Sequence, residues 1–318
     1  MSRIKNILVI GGSGFIGTYL IKSLIAKSNN VINFDIHHSK ISSKYLKNII
    51  GNVKNQNDFK NLQGFFDIIY VLAAEHKDDL RDINKYYETN HQGMKNILYF
   101  CEQNSIQNIV FYSSAAVYGN NFTNASESNR QLKPQNHYGK SKSLAEFELK
   151  TWVMKGESRK LIIIRPSVVY GIGSNSNMNR MIEYIKKRKF IMVGSGKNIK
   201  TVCYVENLVD FSIFVSKNID EKIIIYNYAD FPHLNMVSLV DKVSKILNRR
   251  VLKLPFYIAY LIGLFFDTVS FIIRKNINFS SDRVIKFCSD TSLCTKKIET
   301  SGYKPKYNFD TSLRKTIK

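Results

Sequence analysis

Tyr138 and Lys142 stand four positions apart in NHYGKSKSLAEFELK (136–150), a stretch with the pattern of an amphipathic helix. Residues at i and i+4 leave a helix in the same direction, so the Lys142 ammonium can lie beside the Tyr138 ring or reach a nearby ribose. A free tyrosine, with a pKa of about 10, is a poor base at neutral pH, but adjacent positive charge favours its phenolate. A phenolate in place can act as a general base on a hydroxyl proton. Ser114, at the end of the apolar run NIVFYSS (108–114), supplies a hydroxyl able to bond the same substrate oxygen. Taken alone, a Tyr-x-x-x-Lys also suits the decoration of a surface helix. Its chemistry depends on what the rest of the chain places around it.

The first apolar run, NILVI (6–10), leads into GGSGFIG, with glycines at Gly11, Gly14 and Gly17. Glycines between a strand and a helix permit a tight turn and close approach of backbone N–H groups to a diphosphate, and the helix N-terminus favours the negative charge. A carboxylate, Asp35, ends the next apolar run, 21 residues after Gly14. At that spacing it accepts hydrogen bonds from an adenosine ribose and repels a 2′-phosphate, so the expected dinucleotide is NAD; His37, His38 and Lys40 close by soften the discrimination against NADP.

These residues need a scaffold, and the hydrophobic pattern describes one. Short apolar runs at 6–10, 31–35, 67–74, 108–114 and 160–166 alternate with helical patterns. That order predicts a parallel sheet covered on both faces: α/β, a Rossmann-type doubly wound fold. A helix at 206–218 and a strand at 223–229 return to the sheet. The expected division is therefore 1–170, with 206–230 returning to it, for the dinucleotide, and 171–205 with 231–318 as a smaller C-terminal substrate lobe.

Composition narrows the classes. A chain of 318 residues with 44% hydrophobic content is a globular protein able to bury a large core. Cys101, Cys203, Cys288 and Cys294 share no CxxC spacing and no histidine partner, so neither disulfides nor a metal site are expected. The N-terminal pattern leaves no room for a signal peptide, so the expected location is the cytoplasm. Lys+Arg exceed Asp+Glu by 47 to 25, a formal net charge of +22 that draws the molecule to polyanions. No nucleic-acid-binding motif accompanies it, and anionic lipid or a phosphorylated substrate is the expected counterpart.

With GGSGFIG, LAA (72–74), NHQG (90–93), SSAAVYG (113–119), YGKSK (138–142) and IRPSVVYG (164–171), the chain resembles the extended short-chain dehydrogenase/reductase superfamily over nearly its whole length. The resemblance implies that the Phe15 and Ile16 amides bind the cofactor diphosphate, that Leu72, Ala73, Ala74 and Pro166 line the cofactor, and that Asn90 holds the structure near the nicotinamide. It gives Ser114 the catalytic Ser/Thr role, four residues before Tyr118. One departure is GNV (51–53), where relatives carry Gly-Asp; Asn52 and Val53 take the adenine-contacting positions. Relatives commonly form homodimers through the helix before the 108–114 strand and the helix of the Tyr/Lys pair.

Sugar dehydratases of this superfamily place Asp-Glu directly after the catalytic Ser/Thr. Here those positions are Ala115 and Ala116, which transfer no protons. Epimerisation at C4 or reduction of a 4-keto sugar remains. The runs LAAEHKDD (72–79), NHYGKSK (136–142), MVGSGKNIK (192–200) and YNYADFPHLNM (226–236) are similar to bacterial epimerases of O-antigen and lipopolysaccharide clusters. These interconvert N-acetylglucosaminyl- and N-acetylgalactosaminyl-diphospho-undecaprenol, and some have been described as UDP-N-acetylglucosamine 4-epimerases. On that likeness Lys200 and Arg283 are candidate ligands for the sugar diphosphate; each also suits a solvated surface position.

The segment 254–275 stands apart. Its apolar part, 256–273, falls short of the roughly 20 residues of a spanning helix and contains Gly263 and Asp267. Basic residues flank it: Arg249, Arg250 and Lys253 before, Arg274 and Lys275 after. By pattern it suits either a helix buried in the lobe or a dimer contact, or a segment dipping into one leaflet of an anionic membrane. The second alternative makes the protein peripheral on the inner face of the cell membrane.

Overall fold

The computed structural model describes residues 4–77, 80, 82–128, 132–217, 219–273 and 279–317. Asp78, Asp79, Arg274 and Lys275 lie outside the described residues.

The chain opens with β1 (Asn6–Ile10), α1 (Phe15–Ile25), β2 (Asn30–Asp35), β3 (Leu46–Ile50) and β4 (Ile68–Val71). A short α2 (Asn84–Tyr86) runs through a π-helical stretch (Tyr87–Gln92) into α3 (Gly93–Gln103) and β5 (Asn108–Tyr112). After a 3-10 turn (Ala115–Tyr118) come β6 (Phe122–Ala125), α4 (His137–Met154), β7 (Lys160–Pro166) and β8 (Val168–Tyr170). Next are α5 (Asn177–Lys186), β9 (Ile191–Val193), β10 (Val202–Tyr204), α6 (Val205–Val215), β11 (Ile223–Tyr228) and α7 (Met236–Leu247). The chain ends with β12 (Leu252–Leu254), α8 (Phe256–Ile273), α9 (Ser281–Cys288), β13 (Thr291–Leu293), α10 (Lys296–Glu299) and α11 (Phe309–Ile317).

Seven strands form one parallel sheet in the order β11-β7-β5-β4-β1-β2-β3. The unbroken apolar runs become its central strands because helices cover both faces and no polar side needs to look at water. On one face Leu149 and Trp152 of α4 and Ile97 and Phe100 of α3 pack against Leu8 and Ile69; on the other, Leu20 and Leu24 of α1 and Leu208 and Phe211 of α6 pack against Val9 and Val110. The strand β3, LKNII, is absent from the hydrophobic reading. It is an edge strand, and its half-polar sequence follows from being only partly covered.

The chain leaves β1 in one direction for β2 and β3 and in the other for β4, β5, β7 and β11. The switch point therefore falls between β1 and β4, beside the glycine loop, where open α/β sheets bind ligands. Two-stranded pairs β8–β10, β9–β12 and β6–β13 lie beside the sheet. A third apolar cluster joins Met181 and Ile182 of α5, Leu239 and Val240 of α7 and Leu313 of α11. The pairing of β13 with β6 fastens this C-terminal part to the segment that leaves Ser114.

Candidate active site

The glycine loop divides its glycines between two needs. Gly11 has φ +86°, and a Cβ there would sit 2.3 Å from the Ala73 amide nitrogen, so close packing on the β4 end demands glycine. A Cβ at Gly14 would meet no protein atom nearer than 3.5 Å. Nothing in the fold requires glycine at that point, and its absence of a side chain leaves the backbone there open to a ligand. Gly14 caps α1 without a side-chain hydrogen bond and the first turn of α1 carries no acid, so the Phe15, Ile16 and Gly17 amides open a helix N-terminus suited to anions. Asp35 turns its carboxylate to this loop, accepting from the Ser13 amide at 2.9 Å and the His37 amide at 3.0 Å. The residues present fit a dinucleotide with an unphosphorylated ribose.

Leu72 and Ala73 both donate their amides to the Ile10 carbonyl, which draws the β4 exit and Ala74 alongside the loop. Asn90, in the π-helical stretch, clamps the next residue: its Oδ1 accepts from the Glu75 amide at 2.8 Å and its Nδ2 donates to the Glu75 carbonyl at 3.0 Å and to Ser141 Oγ at 2.8 Å. The 72–75 loop is thus tied to the helix that carries Tyr138. Asn52 folds its side chain back to the Lys54 amide, while Val53 is buried with its carbonyl bonded to Asn96. Pro166 closes β7 beside Tyr228.

The other side of the site is built where α4 begins. Asn136 caps α4 by accepting from the Gly139 amide at 2.7 Å. A Cβ at Gly139 would lie 2.4 Å from the Ala116 carbonyl, so glycine lets the helix press onto the 3-10 turn that Ser114 opens. This contact brings the Ser114 and Tyr138 segments together. Ser114 Oγ accepts from the Ala116 amide at 3.1 Å, and its own O–H remains a donor. The Tyr138 ring stands 6.4 Å, centroid to centroid, from Tyr86, whose hydroxyl donates to the Lys77 carbonyl.

Lys142 is 2% exposed; its ammonium donates to the Tyr112 carbonyl at 2.6 Å and lies 4.4 Å from the centroid of the Phe111 ring. Burial lowers its pKa to about 7, against the opposing pull of Glu146. The expected permanent cation is therefore held where its charge is expensive, ready to gain from any oxygen that accepts its remaining hydrogens.

Below it lies a buried network that the motif reading missed. Arg165 Nε and Nη2 donate to Glu146 Oε1 and Oε2 at 2.8 and 2.5 Å, and Ser113 Oγ donates to Oε1 at 2.6 Å. Arg165 Nη1 donates to Tyr118 Oη at 2.7 Å, Tyr118 to Asn227 Oδ1 at 2.8 Å, and Asn227 Nδ2 to the Ala125 carbonyl at 2.8 Å. Burial pushes the Glu146 carboxyl up, but Arg165 and Ser113 outweigh it and hold the group ionised, below the usual range. The network stitches α4 to β7, β11 and the Ser114 turn. Two members stand out singly in the sequence, Arg165 as a charge after an apolar run and Glu146 as an acid one helical turn beyond Lys142, but no local pattern joins them.

Lys200 and Arg283 lie in the C-terminal part. Lys200 Nζ donates to the carbonyl of Lys286, one turn beyond Arg283 on α9, and burial lowers its pKa. Arg283 is exposed in the first turn of α9. The structure brings these two to one neighbourhood, linked to the Ser114 side through the Lys200 bridge to Thr291 and the β13–β6 pair.

The 256–273 segment is a helix, and it is not core. Only Ala259 and Gly263 are buried along α8, which removes the buried-helix alternative. By length and composition alone, with a mean hydropathy of 1.9, it is the one described helix able to cross a membrane.

Comparison with known proteins agrees with this geometry. The profile of the NAD dependent epimerase/dehydratase family matches residues 7–229. The chain is 40% identical over 315 residues, 98% of its length and 94% of the relative's, to an Escherichia coli O157:H7 N-acetyl-alpha-D-glucosaminyl-diphospho-ditrans,octacis-undecaprenol 4-epimerase. It is 23% identical over 333 residues, all of this chain and 91% of the relative, to a decarboxylating sterol-4-alpha-carboxylate 3-dehydrogenase of Mus musculus. The solved UDP-Glc/GlcNAc 4-epimerase of Campylobacter jejuni shares the fold with TM-score 0.76 at 18% identity, covering 98% of each chain. Sequence and fold together establish that this chain belongs to the NAD dependent epimerase/dehydratase family.

Proposed function

We propose that the protein is an NAD-dependent C4 epimerase that interconverts GlcNAc and GalNAc on undecaprenyl diphosphate for surface polysaccharide synthesis. The observation that carries the substrate choice is the 40% identity to the Escherichia coli epimerase, sustained over 98% of the chain.

Tyr138 takes the proton of the sugar 4-hydroxyl and returns it after the 4-keto sugar has presented its other face. Ser114 donates its hydrogen to the same oxygen, an arrangement supported by the cap that fixes its acceptor side on Ala116. Lys142 favours the phenolate and steadies the nicotinamide ribose. NAD, when bound, supplies the hydride acceptor for oxidation at C4 and the donor for its reversal. Gly11, Gly14, Phe15, Ile16 and Gly17 hold its diphosphate, Asp35 its ribose, Asn52 and Val53 the adenine end, and Leu72, Ala73, Ala74, Asn90 and Pro166 the remaining walls. Ala115 and Ala116 offer no proton-transfer group, so the keto sugar is not diverted to elimination. Residues 1–170 with 206–230 serve the cofactor; 171–205 with 231–318 serve the sugar, with Lys200 and Arg283 on the diphosphate.

The enzyme works as a homodimer through α3 and α4, where Tyr99, Phe147 and Met154 are 50%, 65% and 67% exposed. It sits on the cytoplasmic surface of the membrane that holds its substrate. Purified protein supplied separately with GlcNAc-diphospho-undecaprenol and UDP-GlcNAc should form GalNAc from the first, without stoichiometric NADH consumption. Product from UDP-GlcNAc alone would transfer the activity to the soluble nucleotide sugar, and consumption of one NADH per product would make the enzyme a 4-keto-sugar reductase.

A further inference from the structure

The helix α8 is turned inside out. Its protein-facing stripe is Phe256, Ala259, Tyr260, Gly263, Phe266, Asp267 and Ser270, a helical repeat that contains its small residues and its one charge. The opposite face is apolar: Tyr257, Leu261, Phe265, Phe271 and Ile272 are 78%, 65%, 64%, 85% and 71% exposed. A surface helix bathed in water shows the reverse arrangement. Asp267, the expected obstacle to apolar surroundings, faces inward, where its Oδ2 accepts from the Ser281 amide at 3.1 Å and the Ser281 hydroxyl at 2.6 Å.

From this we infer that the outer face of α8 lies in the plane of the membrane, immersed in the acyl region of one leaflet of an anionic bilayer, and does not cross it. Crossing is opposed by α9, which packs back on α8. A Cβ on Gly263 would lie 2.6 Å from the Ser281 amide nitrogen, and Phe279 packs on Phe266, so α9 lies against the middle of α8. The same α9 exposes Asp282, Arg283 and Lys286, which tolerate headgroups and not the bilayer centre. One side of α8 is thus committed to a polar element, and only the other is left for lipid. The charge decides between lipid and a second copy of this chain. Exposed Arg250 and Lys253 precede α8, and with these cations at its edge the apolar face complements an anionic lipid surface and would set like charge against like if it met the same face of a second copy. In this pose Lys200 and Arg283 stand at headgroup depth, where the diphosphate of a lipid-anchored sugar resides. That last point rests on the proposed substrate, while the immersed face is tested separately.

Trp152, the one tryptophan of the chain, is 3% exposed, so a tryptophan placed on α8 reports its own surroundings. Tyr257→Trp, Phe265→Trp and Ile272→Trp should each be quenched by vesicles of brominated phosphatidylglycerol, all with the same shallow bromine position. Deep quenching for Phe265→Trp flanked by shallow quenching for the other two would indicate crossing and overturn the in-plane pose. In flotation, Leu261→Glu with Phe265→Glu should cut the vesicle-bound fraction by about tenfold or more. The same variant should keep its turnover of a short-chain, water-soluble prenyl-diphospho-GlcNAc, which also shows that it folds. Undiminished flotation would overturn the proposal, as would wild type that stays off vesicles and forms a dimer dissociated by these substitutions. Failure of wild type to turn over the short-chain substrate would strike the proposed function and leave the immersed face standing.

Discussion

Two helices of 18 residues, α4 and α8, break the usual rule of polar outside and apolar inside in opposite ways. The α4 helix buries a lysine and a glutamate at 2% and 1% exposure, whereas α8 leaves phenylalanine and leucine uncovered. In α4 the anomaly is matched from within, since Arg165, Ser113 and the Tyr112 carbonyl answer each buried group. In α8 nothing within the described protein answers it. A misplaced residue with partners marks a site being positioned, and one without partners marks a surface awaiting another phase.

The largest effect should come from the reacting end of α4. Tyr138→Phe should lower turnover by about a thousandfold, the scale of a lost general base, while bound NAD and the melting temperature stay near those of wild type. Retention of a tenth or more of the activity would show that α4 buries its charges for some other purpose. Next is the pair beneath it. Arg165→Met leaves Glu146 buried without its guanidinium, with only Ser113 and the more distant Lys150 beside it, and should cost about 3 to 5 kcal/mol in denaturant unfolding, with Glu146→Gln added on top restoring a large part of it. Additive losses would show that the two residues do not act as a unit.

A smaller effect concerns Lys142. Its folded pKa of about 7 lies below the roughly 10.4 of an unfolded lysine, so between those values the unfolded chain binds more protons and stability rises with pH. The advantage of wild type over Lys142→Met should therefore grow from pH 7 to about pH 10. A difference in melting temperature that is flat across that window would contradict the buried ammonium. The smallest is on α8: Phe265→Ser in detergent-free buffer should change stability by no more than about 0.5 kcal/mol, because the ring is 64% exposed. A core-sized loss would mean that α8 is packed after all.

The division between what sequence reading reached and what it missed follows the same physics. The places of the glycine loop after β1, of Asp35 at the end of β2 and of Tyr138 and Lys142 on one helix were legible because each is a local pattern set by neighbours in the sequence. The doubly wound sheet was legible from the uninterrupted strands. The β3 strand was not, since an edge strand lacks the apolar run by which β1 and β5 announce themselves. The Arg165–Glu146–Ser113 network was not, because its members come from three separate elements and only the fold aligns them. Nor could periodicity tell whether α8 faced core or solvent: an inverted amphipathic helix and a buried one share the same apolar count, and exposure alone separates them.

Epimerisation in which a phenolic oxygen draws a sugar hydroxyl proton, while the carbon-bound hydrogen is lent and returned, has one direct measurement. GlcNAc-diphospho-undecaprenol bearing deuterium at C4, incubated with the protein in vesicles, should give a GalNAc lipid that keeps its deuterium at C4, read by mass spectrometry of the released sugar. GalNAc formed with that deuterium exchanged for solvent hydrogen, or no GalNAc at all, would contradict the account.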